Sequence, residues 1–272
     1  MKIFLRFAAI TCFLSLVYGC TLKSPIQTPV FPPTLSPAPI QYTPPVVTQM
    51  STGIAPVTPT PTQAATHQPG NPTRLDFSGG TTFNENMGDI PKGGTLSFVV
   101  SAEKDQLLMV DVGSRNLDVT LGVKGAFDGT VLVNNSDKLS TWQGFLPSTQ
   151  DYEITLTAGG EDSNYDLGVT IPAVIRFSPG AISDAIQSTV AAQQNVHYML
   201  YALAGQTMTV KVHSPNSDVL LTLYGIDDGQ PLARSASGAT EWSGILSKSQ
   251  YFMIIVVSSG SSSQYLLDIT IQ

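Results

Sequence analysis

The sequence predicts an all-β protein: two tandem jelly-roll-like antiparallel β-sandwiches that follow a signal peptide and a disordered Pro/Thr-rich linker. Three observations carry this reading. Sliding the chain by 100 residues aligns 74–172 with 174–272 without a gap and gives about 27 identical pairs. Within each copy the apolar residues alternate with period two, the mark of half-buried strands. Upstream of residue 73 the composition changes abruptly, first to a short apolar run and then to a proline-rich tract.

Length and charge exclude some functions at once. At 272 residues the chain has room for about two domains. Thirteen Lys and Arg against 20 Asp and Glu give a formal charge of −7. That balance offers no electrostatic footprint for a nucleic acid, and none is expected as a partner. Charged residues make up only 12% of the chain, about half the globular norm, with small polar residues in their place.

Residues 1–19 read as a signal peptide, with Lys2 and Arg6 as the basic region and an apolar stretch from Phe7 to Val17. That stretch is too short to span a bilayer as a stable helix. It ends Leu16-Val17-Tyr18-Gly19-Cys20, which resembles the bacterial lipobox, although Tyr18 is bulkier than the usual residue there. The resemblance implies that Cys20 receives diacylglycerol and becomes the mature N-terminus. An ordinary signal peptide with a cysteine near its cut site is the alternative. Cysteine usage favours lipidation, because Cys12 leaves with the signal and Cys20 would otherwise be a lone exported thiol. Acyl chains contribute about 0.8 kcal/mol per buried CH₂, so two or three of them anchor durably. Thr21 is not the aspartate that retains some lipoproteins at the inner membrane, so the outer membrane or cell surface is the expected location.

Residues 20–72 form the tether and hold 13 of the 19 prolines. Proline removes amide donors and fixes φ, so polyproline II and coil are expected, with a reach on the order of 150 Å. A spacer is favoured over a peptide ligand for an SH3-type partner.

Residues 73–172 and 173–272 are the two sandwich repeats. Five strands recur: Leu96-Phe98-Val100 with Val196-Tyr198-Leu200, Leu108-Val110-Val112 with Met208-Val210-Val212, and Val119-Leu121-Val123 with Val219-Leu221-Leu223. Tyr152-Ile154-Leu156 matches Phe252-Ile254-Val256, and Tyr165-Leu167-Val169-Ile171 matches Tyr265-Leu267-Ile269-Ile271. Asp128-Gly129 and Asp228-Gly229 supply turns between strands. Short antiparallel strands at such spacing form two-layer sandwiches. The linking Ile171-Pro172-Ala173 is too short for free motion, so some coupling between copies is expected.

The second copy runs from an aromatic strand around Tyr198 through Gly205-Gln206, Asp218-Val219-Leu220-Leu221, Asp228-Gly229 and Tyr251-Phe252-Met253-Ile254 to Tyr265-Leu266-Leu267. This order resembles the bacterial pre-peptidase C-terminal domain over nearly the whole repeat. The first copy is more divergent, with Asp105-Gln106 and Asp151-Tyr152 at two of the motifs. The resemblance implies a compact jelly-roll-like sandwich found beside exported enzymes and on surface proteins, without catalysis of its own. The related bacterial lysozyme inhibitors share the sandwich plan, but no distinctive inhibitor loop is evident.

Catalytic chemistry has no foothold in the pattern. His67, His197 and His213 stand in no metal-ligand spacing. His197 alternates with Val196 and Tyr198 and is expected to face solvent. Asp118/Asp218 and Asp128/Asp228 recur and could ligate Ca²⁺, but satisfying local backbone donors is the favoured role. Trp142 and Trp242 could stack sugars, but their parity with Leu146 and Leu246 favours the core. The first copy holds 14 acidic and six basic residues, the second six and four, so sparse charge makes the second more compatible with packing or binding.

The expected function is that of a noncatalytic, lipid-anchored envelope protein whose tandem modules bind extracellular protein or glycan. A surface spacer and a lysozyme-inhibitor-like envelope protein are the alternatives. Cys20 is the one assigned site, for lipidation. No catalytic residue, metal or cofactor is expected, and ligand-binding residues are unassigned.

Overall fold

The period-two segments resolve into strands of two sandwiches with the same topology. The computed structural model describes residues 71–272. The signal peptide, Cys20, the tether and His67 lie outside the described residues. The first sandwich comprises β1 (Thr73–Arg74), β2 (Phe83–Ile90), β3 (Thr95–Ala102), β4 (Leu107–Gly113), β5 (Val119–Gly125), β6 (Val131–Val133), β7 (Thr141–Phe145), β8 (Gln150–Ala158) and β9 (Ser163–Thr170). The second repeats them as β10 (Ala173–Val174), β11 (Ser183–Val190), β12 (Asn195–Ala202), β13 (Thr207–His213), β14 (Val219–Gly225), β15 (Pro231–Ala233), β16 (Glu241–Ile245), β17 (Gln250–Ser258) and β18 (Ser263–Ile271).

Sheet I has the order β1-β3-β8-β5-β6 and sheet II the order β2-β9-β4-β7. Sheets III (β10-β12-β17-β14-β15) and IV (β11-β18-β13-β16) reproduce them in the second copy. Pairing is antiparallel apart from β1 on β3 and β10 on β12, which are parallel. The five expected strands are β3, β4, β5, β8 and β9 with their counterparts. The strands that sequence periodicity missed sit at sheet edges. β2 and β11 are polar and only half-buried, while β1 and β10 are two residues long.

Each sandwich encloses its own core. Phe98, Leu108, Leu121, Ile154 and Leu167 are in the first, and Leu200, Met208, Leu221, Ile254 and Leu267 in the second. Burying such a side chain contributes about 1.5–3 kcal/mol. Turns are set by a few recurring residues. Gln106 Oε1 accepts the Glu103 N–H at 2.7 Å, and Gln206 Oε1 accepts the Leu203 N–H at 2.7 Å. The residue before each glutamine is left-handed, Asp105 at φ 65° and Gly205 at φ 85°, which explains why glycine suits the second copy. No helix among the described residues is long and apolar enough to cross a membrane.

Candidate functional site

The face that packs the two sandwiches together is built from outward-pointing residues. On β4, Leu108 and Val110 point into the first core, so Leu107 and Met109 project from the other side of sheet II. On β12, Tyr198 and Leu200 point into the second core, so His197, Met199 and Tyr201 project from sheet III. Leu107 meets Met199, Ile226 and Met253 in a third buried cluster, with Met109, Tyr224, Tyr251 and Ile255 packed around it. Sheet II of the first copy therefore stacks on sheet III of the second, and the described residues form four β-layers.

Comparing positions 100 apart shows why this face is sticky and its counterpart is not. His197, Met199, Tyr201, Tyr224, Tyr251, Met253 and Ile255 stand where the first copy has Ser97, Val99, Ser101, Lys124, Asp151, Glu153 and Thr155. In the first copy this face is wet and ion-paired, with Lys124 Nζ 2.9 Å from Glu153 and Arg74 bound to Asp151. The docking face of sheet II shows the converse change, with Phe83, Leu107 and Met109 where the second copy has Ser183, Thr207 and Thr209.

His197 is buried, which corrects the expectation that it faces solvent. The parity was read correctly: the imidazole does leave the second core, but the first copy covers it. Its ring lies 5.7 Å from that of Phe83. Its backbone N–H, past the end of the short β10, donates to Thr82 Oγ1 at 2.8 Å. Nδ1 has no hydrogen-bond partner. Burial lowers its pKa to about 4, because the charged form cannot be solvated there. His213, by contrast, is exposed, 3.5 Å from Asp268.

The recurring aspartates serve their own loops. Asp128 Oδ1 accepts the Thr130 N–H at 2.9 Å, and Asp228 Oδ1 accepts the Gln230 N–H at 3.0 Å. Both carboxyls are held below the ordinary range, first by these backbone bonds and then by Gln150 and Gln250. Asp218 takes the Ser263 hydroxyl at 2.8 Å, while one oxygen of Asp118 is buried without a partner. Asp118 precedes β5 and Asp128 follows it, so the strand separates them by roughly 20 Å and they cannot share one cation. Among the described residues no group of His, Cys, Asp and Glu assembles to hold a metal.

Trp142 and Trp242 face inward but are only half-buried, because β7 and β16 are edge strands. Each ring folds over its own strand. A Cβ on Gly144 would lie 2.6 Å from Trp142 Cζ2, and one on Gly244 2.8 Å from Trp242 Cζ2.

Aromatic rings do reach solvent, at the junction. Phe145 of β7 lies 5.2 Å from Tyr251 of β17, and Tyr201 of β12 lies 5.2 Å from the same ring in an edge-on arrangement. Tyr201 is 52% exposed and Phe145 47%. Beside them is a cleft of about 270 Å³ lined by Val174, Arg176, Phe177, Tyr201, Tyr251 and Ile271. The first copy has the equivalent cleft, about 630 Å³, with Phe77, Ser101, Asp151 and Ile171 at matching positions. Sequence reasoning missed both clefts, since their linings come from four separated segments.

No protein family matches the chain, and no curated protein does. Among solved structures, a periplasmic inhibitor of g-type lysozyme from Aeromonas hydrophila, PliG, is 26% identical at a TM-score of 0.33, covering 37% of this chain and 96% of that one. The Salmonella Typhimurium PliG is 18% identical at 0.30, covering 37% and 97%. The CUB1-EGF-CUB2 region of human MASP-1/3 is 9% identical at 0.24, covering 70% and 100%. With TM-scores below 0.5, these likenesses assign neither family nor function.

Proposed function

We propose that this is a noncatalytic, exported protein, anchored through a lipid on Cys20, that presents two pre-peptidase C-terminal-like sandwiches as one rigid unit for binding extracellular protein or glycan. The signal peptide covers 1–19, the tether 20–72, and the repeats 73–172 and 173–272. The observation that carries the binding role is the solvent-facing ring cluster of Phe145, Tyr201 and Tyr251. Aromatic residues combine large contact area with a polar handle, and an exposed cluster at a junction marks a recognition surface. The buried junction cluster supports rigidity.

The test is capture by the purified protein on glycan arrays and from envelope extracts, repeated with Tyr201→Ala. Specific capture lost in the variant supports the reading; absence of any capture returns the protein to a spacer role. Cys20→Ser should release the protein from membranes, and mass spectrometry showing unmodified Cys20 in the wild type would refute the anchor.

A lysozyme-inhibitor-like role is a second reading, favoured by the acidic first copy. Glu85 and Asp111 face each other across Gly168 on sheet II. Burial, followed by the nearby Asp166 charge, holds both carboxyls above their usual range. Both side chains are exposed beside the docked part of that face, and this local negative charge suits a cationic protein; a lysozyme inhibition assay decides it.

A further inference from the structure

We infer that the two equivalent clefts are subsites of one groove that takes an oligosaccharide chain; this rests on the binding role proposed above and names its ligand. The clefts adjoin along one stretch of backbone. Ile171, Pro172 and Ala173 line the first, and the next residues, Val174 to Phe177, line the second. A ligand crossing from one to the other follows that connection between the copies.

The two ends differ in chemistry, and together they match a sugar chain. At the second-copy end, Tyr201 and Tyr251 offer ring surface with Arg176 beside them. At the first-copy end the same positions are Ser101 and Asp151, joined by Thr149. Asp151 is fixed by Arg74, which donates to both carboxylate oxygens, and by the Ser101 hydroxyl. A pyranose presents an apolar C–H face, which suits an aromatic ring, and a rim of hydroxyls, which suits carboxylate and hydroxyl partners. Small-ligand sites combine apolar surface with placed polar groups, and here the two kinds of contact are divided between the two ends.

The duplication explains how one cleft became two different subsites. Ser101 and Asp151 correspond to Tyr201 and Tyr251, so two differences separate a hydroxyl-binding wall from a stacking wall. Phe145 of the first copy packs on Tyr251 of the second and so couples ring placement to the docking of the two sandwiches.

The test is calorimetry on the full chain with soluble hexasaccharides of β-linked N-acetylglucosamine, β- and α-linked glucose and xylose, together with pull-down on peptidoglycan sacculi. At least one should bind at millimolar affinity or better. Tyr201→Ala should weaken it by about tenfold, Tyr201→Phe should keep it within about twofold, and Asp151→Asn should weaken it by about threefold. Thr209→Ala, on sheet IV, should leave it unchanged, and circular dichroism should show all variants folded. Tyr201 is exposed, so its loss leaves the cores intact. If no probe binds, or if binding ignores both Tyr201→Ala and Asp151→Asn, the inference is wrong. Protein capture without glycan binding overturns the inference and leaves the broader binding role standing.

Discussion

Acid should loosen this protein through His197 before its low-titrating carboxyls matter; Glu85 and Asp111, held high, oppose the loss but are common to the wild type and the variant compared below. The imidazole is buried between the sandwiches with Nδ1 unpartnered, and burial lowers its pKa from 6.5 to about 4. The folded state therefore resists a proton that the unfolded chain accepts. At pH 7.5 neither state is protonated, and the group has no effect on stability. As the pH falls below 6.5 the unfolded state binds the proton, and stability is lost until the folded pKa is reached. Linkage over this gap gives a loss of about 2 kcal/mol between pH 7.5 and 5, approaching ~3 kcal/mol below pH 4. The assay is urea unfolding at several pH values, comparing the wild type with His197→Phe, which keeps a ring against Phe83 but cannot titrate. The carboxyls of Asp76, Asp128, Asp151, Glu153, Asp218 and Asp228, all held low, act at lower pH and are common to both proteins. The wild type should lose about 2 kcal/mol more than the variant across this range. Profiles that run parallel within about 0.5 kcal/mol would refute the burial of a neutral imidazole.

Three further substitutions probe the packing. Met253→Glu restores the residue of the first copy inside the junction, where Met253 is fully buried; an unpaired carboxylate there should cost about 3–5 kcal/mol and expose the connecting segment to limited proteolysis. Gly244→Ala places a methyl 2.8 Å from the Trp242 ring, so tryptophan emission should shift to the red with a loss of about 1 kcal/mol. Gln250→Ala removes the acceptor of the Asp227 N–H and the donor to Asp228 Oδ2; chemical unfolding should show about 1–3 kcal/mol lost.

What the sequence made legible was the part governed by local alternation. Leu108-Val110-Val112 and Tyr165-Leu167-Val169 face a core and read as such, and the repeat supplies the topology twice. The edge strands were hidden because only one flank of each is paired. Phe83-Asn84-Glu85-Asn86 and Ser183-Asp184-Ala185-Ile186 carry too few apolar residues to show a period. The junction draws on outward-facing side chains of both copies, and the serine-rich loop Ser258–Ser263 is not among them. Its serines instead bond within the loop and to Asp218. His197 shows the general difficulty. Strand parity says which way a side chain leaves its own core, but not whether another sheet waits there. The signal that would have found the junction lies in the pairs that differ: Glu153 with Met253, Asp151 with Tyr251, and Lys124 with Tyr224 all trade charge for apolar or aromatic surface on one face.

That asymmetry also bears on how readily a further sandwich could stack. Two identical sandwiches with a sticky sheet II and a sticky sheet III-type face would add further copies without limit, since each contact is head-to-tail and does not close. Here only one face of each kind is apolar. The outer face of sheet I carries the Arg74–Asp151 and Lys124–Glu153 pairs. The outer face of sheet IV carries Lys211 paired with Glu241 at 3.0 Å, and the Thr209 and Ser243 hydroxyls 2.8 Å apart. Exposed pairs of this kind contribute about 0–1 kcal/mol to folding, so stability does not account for them. Burying them under another sheet would cost several kcal/mol per ion, a penalty that disfavours a further sandwich on either outer face.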